Sequence, residues 1–296
     1  MSTLATIRLW GEMVKFSHSV FALPFALLAT FMAGRNMPGG FPRPAQLGLI
    51  VVCMIAARSF AMTFNRIADA RIDANNPRTA GRPIPAGRMT IRQAMVYLQI
   101  SALVFLTACG GFYLLYGNPW PALLAIPTLA GLSAYSFAKR FTTLAHFVLG
   151  AVIAFAPTAA WIAIHPATLG WPALLLTGAV LFWISGFDLI YACQDADIDR
   201  RDGLFSIPAR FGIARALLIS RIAHVATVAL LIALGWTTER NWLYWTAVGI
   251  TALLLASEQA VVKPNDLSRV NLAFFTLNGF VSILFASAAI ADLIWL

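Results

Sequence analysis

The sequence predicts an all-α, multi-pass transmembrane helical bundle. Three observations predict it. The 296 residues are 60% hydrophobic and only 11% charged, against about 25% charged in ordinary soluble domains. Apolar runs of about 20 residues, the length that crosses a bilayer, recur along the whole chain. The basic residues fall almost entirely on one side of those runs.

Nine spans are expected, at 16–34, 47–68, 92–116, 119–137, 142–164, 171–192, 212–236, 241–262 and 270–294. They and their short loops use up the chain, so residues 1–296 are expected to form one integral membrane domain. The runs do not alternate in polarity, which argues against a membrane β-barrel. The first run follows an amphipathic stretch with Glu12 and Lys15 and leads into further spans, so it is expected to stay rather than be cleaved.

Two inner loops are long. One, about 69–91, is dense in Pro and Gly (Asn75-Asn76-Pro77-Arg78 through Gly87-Arg88), a pattern that ends helices and favours turns. The other covers about 193–211. Outer connections are short, Tyr116 to Pro119 being barely a turn. With the N-terminus inside, sixteen Lys and Arg fall on the inner side and only Arg35, Arg43 and Arg240 on the outer. This asymmetry predicts an N-in, C-out topology. It also accounts for the net charge of +9 without a nucleic acid partner. Cys53, Cys109 and Cys193 lie in or at the ends of spans without metal-site spacing, and are expected to pack as small apolar groups.

Acidic residues number only 12, yet one acidic pattern occurs twice, about 126 residues apart. The first copy is Asn65-Arg66-Ile67-Ala68-Asp69-Ala70-Arg71-Ile72-Asp73. The second is Tyr191-Ala192-Cys193-Gln194-Asp195-Ala196-Asp197-Ile198-Asp199. Each sits where an apolar run meets the inner side. At about 100° and 1.5 Å per residue of helix, Asn65, Asp69 and Asp73 share one face. Tyr191, Asp195 and Asp199 share another, with Asp188 above them and Asp197 opposite. A lone Asp there would be a solvated helix end. Two matched sets at membrane depth, where carboxylates are costly, point to function. Two carboxylates with an amide or phenol suit Mg²⁺, which takes a few carboxylates, water and phosphate oxygens. Arg66, Arg78 and Arg82 near the first copy, and Lys139-Arg140 after Tyr135, can hold diphosphate oxygens.

The segment NRIADARIDANNPRTAGRPIPAG resembles the first signature of the UbiA superfamily of intramembrane aromatic prenyltransferases. DLIYACQDADIDRRDGLFSIPARFG resembles the second, and Tyr135 to Thr142 is also similar. Within the superfamily the chain most resembles 4-hydroxybenzoate polyprenyltransferases, including relatives proposed for menaquinone synthesis by the futalosine route. The resemblance covers essentially the whole chain. It implies transfer of a polyprenyl group from its diphosphate to a small aromatic acid, with Mg²⁺ as cofactor and the bilayer as the source of the isoprenoid. It implies metal-diphosphate sites at Asn65, Asp69 and Asp73 and at Asp195 and Asp199. It further implies substrate contacts at Tyr191, Gln194, Lys139 and Arg140. Lys15 is the looser match, to a basic residue facing the aromatic acid.

Asp188 is expected to serve as an acid–base or acceptor-orienting group. Arg58, two turns deeper than Asn65 on the same face, is expected to contact the acceptor or an Asp. Phe137, Phe187 and Tyr191 offer faces to an allyl cation. Arg221 and Glu258 are expected to pair, and His146 and His224 to bond between helices.

Two rivals are weaker. A transporter would spread polar groups through the membrane depth, whereas the charges here crowd the inner edge. A CDP-alcohol phosphotransferase would join all its aspartates in one segment, and only Asp202-Gly203 and Ala209-Arg210 echo that. A different acceptor, such as dihydroxynaphthoate, remains compatible with the same motifs.

Overall fold

The computed structural model describes residues 3–14 and 21–295. Lys15 and His18 lie outside the described residues. The described residues form an all-helical chain whose non-helical pairing is limited to an isolated bridge between Lys263 and Asp266. In order the helices are α1 (Thr3–Val14), α2 (Leu23–Gly34), α3 (Pro44–Ala68), α4 (Ala70–Asn75), α5 (Ile91–Tyr116), α6 (Trp120–Ala134), α7 (Ala145–Ile164), α8 (Trp171–Ala192), α9 (Ala196–Arg201), α10 (Ile207–Phe211), α11 (Ile213–Thr237), α12 (Trp242–Val261) and α13 (Asn278–Trp295).

Each of the expected apolar segments corresponds to a helix. Among the described residues, seven helical segments are long and apolar enough to cross a membrane. The other two differ for separate reasons. The described part of α2 has 12 residues. α12 has 20, but Trp242, Tyr244, Trp245, Ser257, Glu258 and Gln259 lower its hydropathy. The outward faces are greasy: Leu114 is 81% exposed, Val225 69% and Leu253 69%. Apolar side chains this bare, repeated along several helices, belong against lipid. The protein is an integral membrane protein.

Local chemistry sets the helix ends. Thr90 and Gln93 form a capping box at the start of α5, with Gln93 N–H donating to the Thr90 hydroxyl at 3.2 Å and Thr90 N–H to Gln93 Oε1 at 2.9 Å. Gly117, at φ 69°, ends α5 in the left-handed conformation that glycine adopts without strain. Pro24, Pro121 and Pro172 stand in the first turns of α2, α6 and α8, where a missing N–H costs nothing.

The chain divides into two compact units, one of Met1–Ser19 and Gly48–Phe137, the other of Val20–Leu47 and Ala138–Leu296. In the first, α5 packs on α6. There Met13, Val14, Met89 and Ala94 form a small core that draws in Trp10, Ile84 and Tyr97. This core joins α1 to the loop before α5. In the second, α8 packs against both α7 and α11, α2 against α7 and α13, and α12 against α13. Leu189, Ile190, Leu217, Val270 and Ala273 are completely or almost completely buried in its core.

One polar network runs through that second core. The Asn278 amide donates to Glu258 Oε1 at 2.9 Å and to the Ala273 carbonyl at 3.0 Å, while Trp183 Nε1 donates to Asn278 Oδ1 at 2.6 Å. Asn278 follows a π-helical turn at Leu272–Leu277, a widening that leaves a carbonyl for its side chain to reach. Glu258 therefore pairs with Asn278. The expected Arg221–Glu258 pair does not form, because Arg221 is exposed on α11 while Glu258 is fully buried. His224 does bond between helices as expected, with Nδ1 at 3.0 Å from Gln259 Nε2.

Candidate active site

The first aspartate motif sits at a helix break. α3 ends at Ala68, Asp69 leaves the helical region at φ −96°, ψ 7°, and α4 starts at Ala70. The second motif is built alike. α8 ends at Ala192, a 3₁₀ turn covers Cys193–Asp195, and Asp195 at φ −102°, ψ 3° precedes α9. The uninterrupted helix face expected from spacing is thus corrected in both copies. The i to i+4 phase survives in the first because Asp69 N–H bonds Asn65 C=O at 2.8 Å and Asp73 N–H bonds Asp69 C=O at 2.8 Å. Neither Asp69 nor Asp195 uses its side chain to cap the helix that follows.

Around the first motif the sequence folds back on itself. Asn76 Oδ1 accepts the Arg78 N–H at 2.9 Å, an Asx turn, and Thr79 Oγ1 donates to the Asp73 carbonyl at 2.9 Å. Backbone bonds from Thr79 and Ala80 to Asn76 and from Arg82 to Thr79 tighten the turn. The loop thereby delivers Arg82 to Asp73, whose two carboxylate oxygens both lie at 2.7 Å from Arg82 Nη1. Asp69 and Asp73 are 2% and 4% exposed. Asn65 Nδ2 donates to Asp69 Oδ2 at 3.1 Å, and Arg66 Nη1 to Asn65 Oδ1 at 3.2 Å. Arg66 is itself buried. Arg58 and Arg66 both lie within electrostatic reach of the Tyr135 phenol, and Arg58 Nε is buried without a hydrogen-bond partner. Arg78 is exposed.

The loop is fastened to α1. Arg88 donates to Glu12 Oε2 at 2.9 Å and Oε1 at 2.6 Å, and to the Gly81 carbonyl at 2.8 Å. That hydrogen bond holds the Glu12 carboxyl below its ordinary value of 4.5.

The second motif has its own supports. The Ser206 hydroxyl hydrogen-bonds Asp199, and Asp195, Lys139 and His146 act on Asp199 electrostatically. Ser206 also accepts the Ala209 N–H at 3.3 Å, capping α10. The Lys139 carbonyl accepts the Phe205 N–H at 2.7 Å, which fixes Lys139 beside this loop. Arg140 is exposed. Asp197 points into solvent, 94% exposed along its side chain, and pairs with Arg200 at 2.9 Å. This agrees with its lower rank among the carboxylates. Gln194 turns back on its own helix, donating to the Tyr191 carbonyl at 3.3 Å. Tyr191 stacks on Phe274 with ring centroids 4.2 Å apart, and Phe187 meets Phe274 edge-on at 5.2 Å. Phe137 meets Phe64 edge-on at 5.8 Å.

Asp188 does not stand alone. His146 Nδ1 from α7 lies 2.7 Å from Asp188 Oδ2 on α8. His146 thus bonds between helices, as expected, to a partner that residue spacing does not indicate. The Ser206–Asp199 bond and the Arg82–Asp73 pair were also missed. The Ser-Ile-Pro and Arg-Pro sequences that follow each motif were the only available signals.

Among the described residues no three His, Cys, Asp or Glu side chains gather closely enough to hold a metal by themselves. Mg²⁺ does not require such a cage, since phosphate oxygens and water complete its shell. The donors present at both motifs are hard oxygens, and they fit that cation in type.

The sequence profile of the UbiA prenyltransferase family matches residues 22–284. The chain belongs to the UbiA prenyltransferase family. Among its relatives is the 4-hydroxybenzoate octaprenyltransferase of Actinobacillus pleuropneumoniae serotype 3 (strain JL03), 30% identical over 281 residues and covering 93% of each chain. The enzyme of the same name from Enterobacter sp. (strain 638) is 29% identical over 253 residues, 85% of each chain. The apo structure of a UbiA homolog from Aeropyrum pernix K1 aligns at TM-score 0.81 with 31% identity, over 93% of this chain and 98% of that one. A UbiA homolog from Archaeoglobus fulgidus, solved with GPP and Mg²⁺, shares the fold at TM-score 0.68 and 19% identity, over 96% of this chain and 99% of that one. This UbiA-family protein is a prenyltransferase.

Proposed function

We propose that this chain transfers a polyprenyl group from a polyprenyl diphosphate to 4-hydroxybenzoate, or a closely related hydroxy-aromatic acid, in ubiquinone or menaquinone biosynthesis. The observation that carries the proposal is the duplicated aspartate at a helix break, in a chain that matches 4-hydroxybenzoate octaprenyltransferases over nearly its full length.

Asn65, Asp69 and Asp73 would hold one Mg²⁺ and Asp195 and Asp199 another, which would supply Lewis-acid charge neutralisation for the departing diphosphate. Arg66, Arg78, Arg82, Lys139 and Arg140 bind its remaining oxygens, with Gln194 and Tyr191 alongside. Arg58, with its buried and unpartnered Nε, binds the acceptor carboxylate, and Lys15 assists. Tyr191, Phe187 and Phe137 present ring faces to the allylic carbon as it gains positive charge. Asp188 handles the acceptor's proton or orientation. The whole chain acts as one catalytic domain of the inner membrane, spanning nine times with N-in, C-out topology. The positive-inside asymmetry supports chemistry on the cytoplasmic side.

The test incubates membranes carrying the chain with a polyprenyl diphosphate, Mg²⁺ and a panel of aromatic acids, and reads products by mass. A prenylated 4-hydroxybenzoate that vanishes with chelator is expected. Product from dihydroxynaphthoate alone would displace the acceptor assignment, and no product from any acid would overturn the transfer itself.

A further inference from the structure

We infer that Asp188, held by His146, is the base that takes the ring proton from the aromatic acceptor. The inference rests on the prenyl-transfer reading above and deepens it.

The two helices carrying this pair are forced close together. Gly150, one turn beyond His146 on α7, faces α8 so tightly that a Cβ there would meet the Leu181 carbonyl oxygen at 2.8 Å and collide with Ser185 Oγ. Ser185 is one turn before Asp188. The glycine therefore sets the separation at which His146 Nδ1 comes to lie 2.7 Å from Asp188 Oδ2. This contact is well placed by packing on both sides, since α7 and α8 adjoin along much of their length.

The pair is asymmetric. The His146 side chain is 7% exposed and the Asp188 side chain 20%. His146 Nε2 is buried without a hydrogen-bond partner. A proton on Nε2 would be a buried N–H with nothing to receive it, which is costly. The neutral imidazole therefore carries its proton on Nδ1 and donates it to Asp188 Oδ2. One carboxylate oxygen, Oδ2, is thereby fixed on a side chain that keeps 20% exposure, and Oδ1 is the oxygen left to take a proton. The arrangement is the orienting half of a catalytic dyad with the roles reversed: the histidine positions and the carboxylate reacts.

Its place in the fold suits the task. Asp188 lies seven residues before Asp195, about one turn inside the end of α8 at Ala192. His146 is within electrostatic reach of Asp199, together with Lys139. The pair thus stands deeper along the helix that ends at the second aspartate motif, where an acceptor ring would meet the allylic carbon.

The step balances without any other reactant. The ring carbon's π electron pair forms the new C–C bond, and the allylic C–O bond breaks with its own pair leaving on the diphosphate oxygen. The C–H pair of the attacked carbon then returns to the ring, and its proton goes to Asp188 Oδ1. Such a proton is strongly acidic, so a hydrogen-bonded carboxylate is a sufficient base. Asp188 is the catalytic residue and His146 a positioning residue.

The test uses the full-length chain in detergent with Mg²⁺, a polyprenyl diphosphate and whichever aromatic acid the wild type prenylates. That acid is supplied with hydrogen or with deuterium at the carbon that receives the prenyl group. Wild type is expected to turn both over equally, because proton loss is fast. Asp188→Asn is expected to lose about 100-fold or more in kcat and to run slower still on the deuterated acid. His146→Leu is expected to show the same isotope sensitivity with a smaller loss. His146→Asn, whose amide can donate from near the Nδ1 position, is expected to recover. Asp188→Asn at wild-type rate, or slowed without isotope sensitivity, would overturn the base. So would losses that follow the melting temperature across all three variants. Absence of any wild-type product would instead overturn the transfer reading, and the base with it.

Discussion

Asp69 and Asp195 adopt nearly the same backbone conformation, φ −96°, ψ 7° and φ −102°, ψ 3°, each immediately before a six-residue helix. The likeness extends the repeat from sequence into geometry. At both positions the aspartate interrupts a helix and leaves the next one without a side-chain cap. Asp69→Ala and Asp195→Ala are each expected to lower prenyl transfer by about 100-fold or more, the scale of losing a group that stabilises charge in the transition state. A radiolabelled transfer assay on purified, monodisperse protein measures this. Wild-type rates in either variant would remove that aspartate from the mechanism.

Arg82 and Asp73 form a mostly buried ion pair. Removing one partner of such a pair is far worse than removing both. Arg82→Ala is expected to destabilise the protein by about 3–5 kcal/mol, seen as a lowered melting temperature in detergent. Adding Asp73→Asn should restore much of it. Arg82→Lys should recover part of it, because both carboxylate oxygens meet a single Arg82 nitrogen, a contact that one ammonium can also make.

Asp292 stabilises a helix it does not belong to. From α13 its Oδ2 accepts the Asn241 N–H and its Oδ1 the Tyr244 N–H, each at 3.1 Å. These are donors at the start of α12, whose own N-cap residue makes no side-chain bond. Asp292→Ala is expected to cost about 1–2 kcal/mol, the value of a strong N-cap, and to speed hydrogen exchange at 241–244. Asp292→Asn keeps one acceptor oxygen and should cost less.

Asn278 completes the buried network of α8, α12 and α13. Its removal strands the Trp183 N–H and the Glu258 carboxyl in an apolar interior. Asn278→Ala is expected to cost about 3–5 kcal/mol, the sum of two unsatisfied buried groups at about 1–3 kcal/mol each, weighted towards the charged-type partner. Thermal unfolding checks it. A drop no larger than that of a surface substitution would mean the network reorganises.

The Glu12–Arg88 contact should confer a pH dependence on α1. The Glu12 carboxyl is lowered from 4.5 in the folded chain by the Arg88 hydrogen bond. Its stabilisation is therefore fully present above about pH 4.5 and lost as pH falls through the lower folded value. Proteolysis within 81–88 should rise on acidification through that window and with added salt. In Glu12→Gln it should be high at every pH.

Much of this is legible in the sequence alone. Apolar length located the seven helices that, among the described residues, are long and apolar enough to cross a membrane, because burial in lipid imposes a nearly fixed span. The paired aspartates stood out because carboxylates are scarce in such a chain. Other features were not legible for physical reasons. Helical phase placed Asn65, Asp69 and Asp73 together, but phase does not reveal that the axis breaks at Asp69. Arg82 reaches Asp73 only through the turns made by Asn76 and Thr79. His146 and Asp188 are distant in sequence and meet because Gly150 lets two helices approach. Glu258 found Asn278 instead of Arg221, since a widened turn at Leu272–Leu277 brought an amide inward. Spacing rules see one element at a time, and these contacts belong to pairs.

The Arg82–Asp73 pair also bears on the order of encounter. A lone divalent ion approaching Asp73 meets a carboxylate whose charge is already matched by a guanidinium, so it gains little from binding there. Under the proposed function, a cation arriving already chelated by diphosphate would bring anionic oxygens to take Arg82 in exchange, and Asp73 would be released to the metal. The internal pair would then favour loading of metal and isoprenoid as one unit over capture of the ion alone.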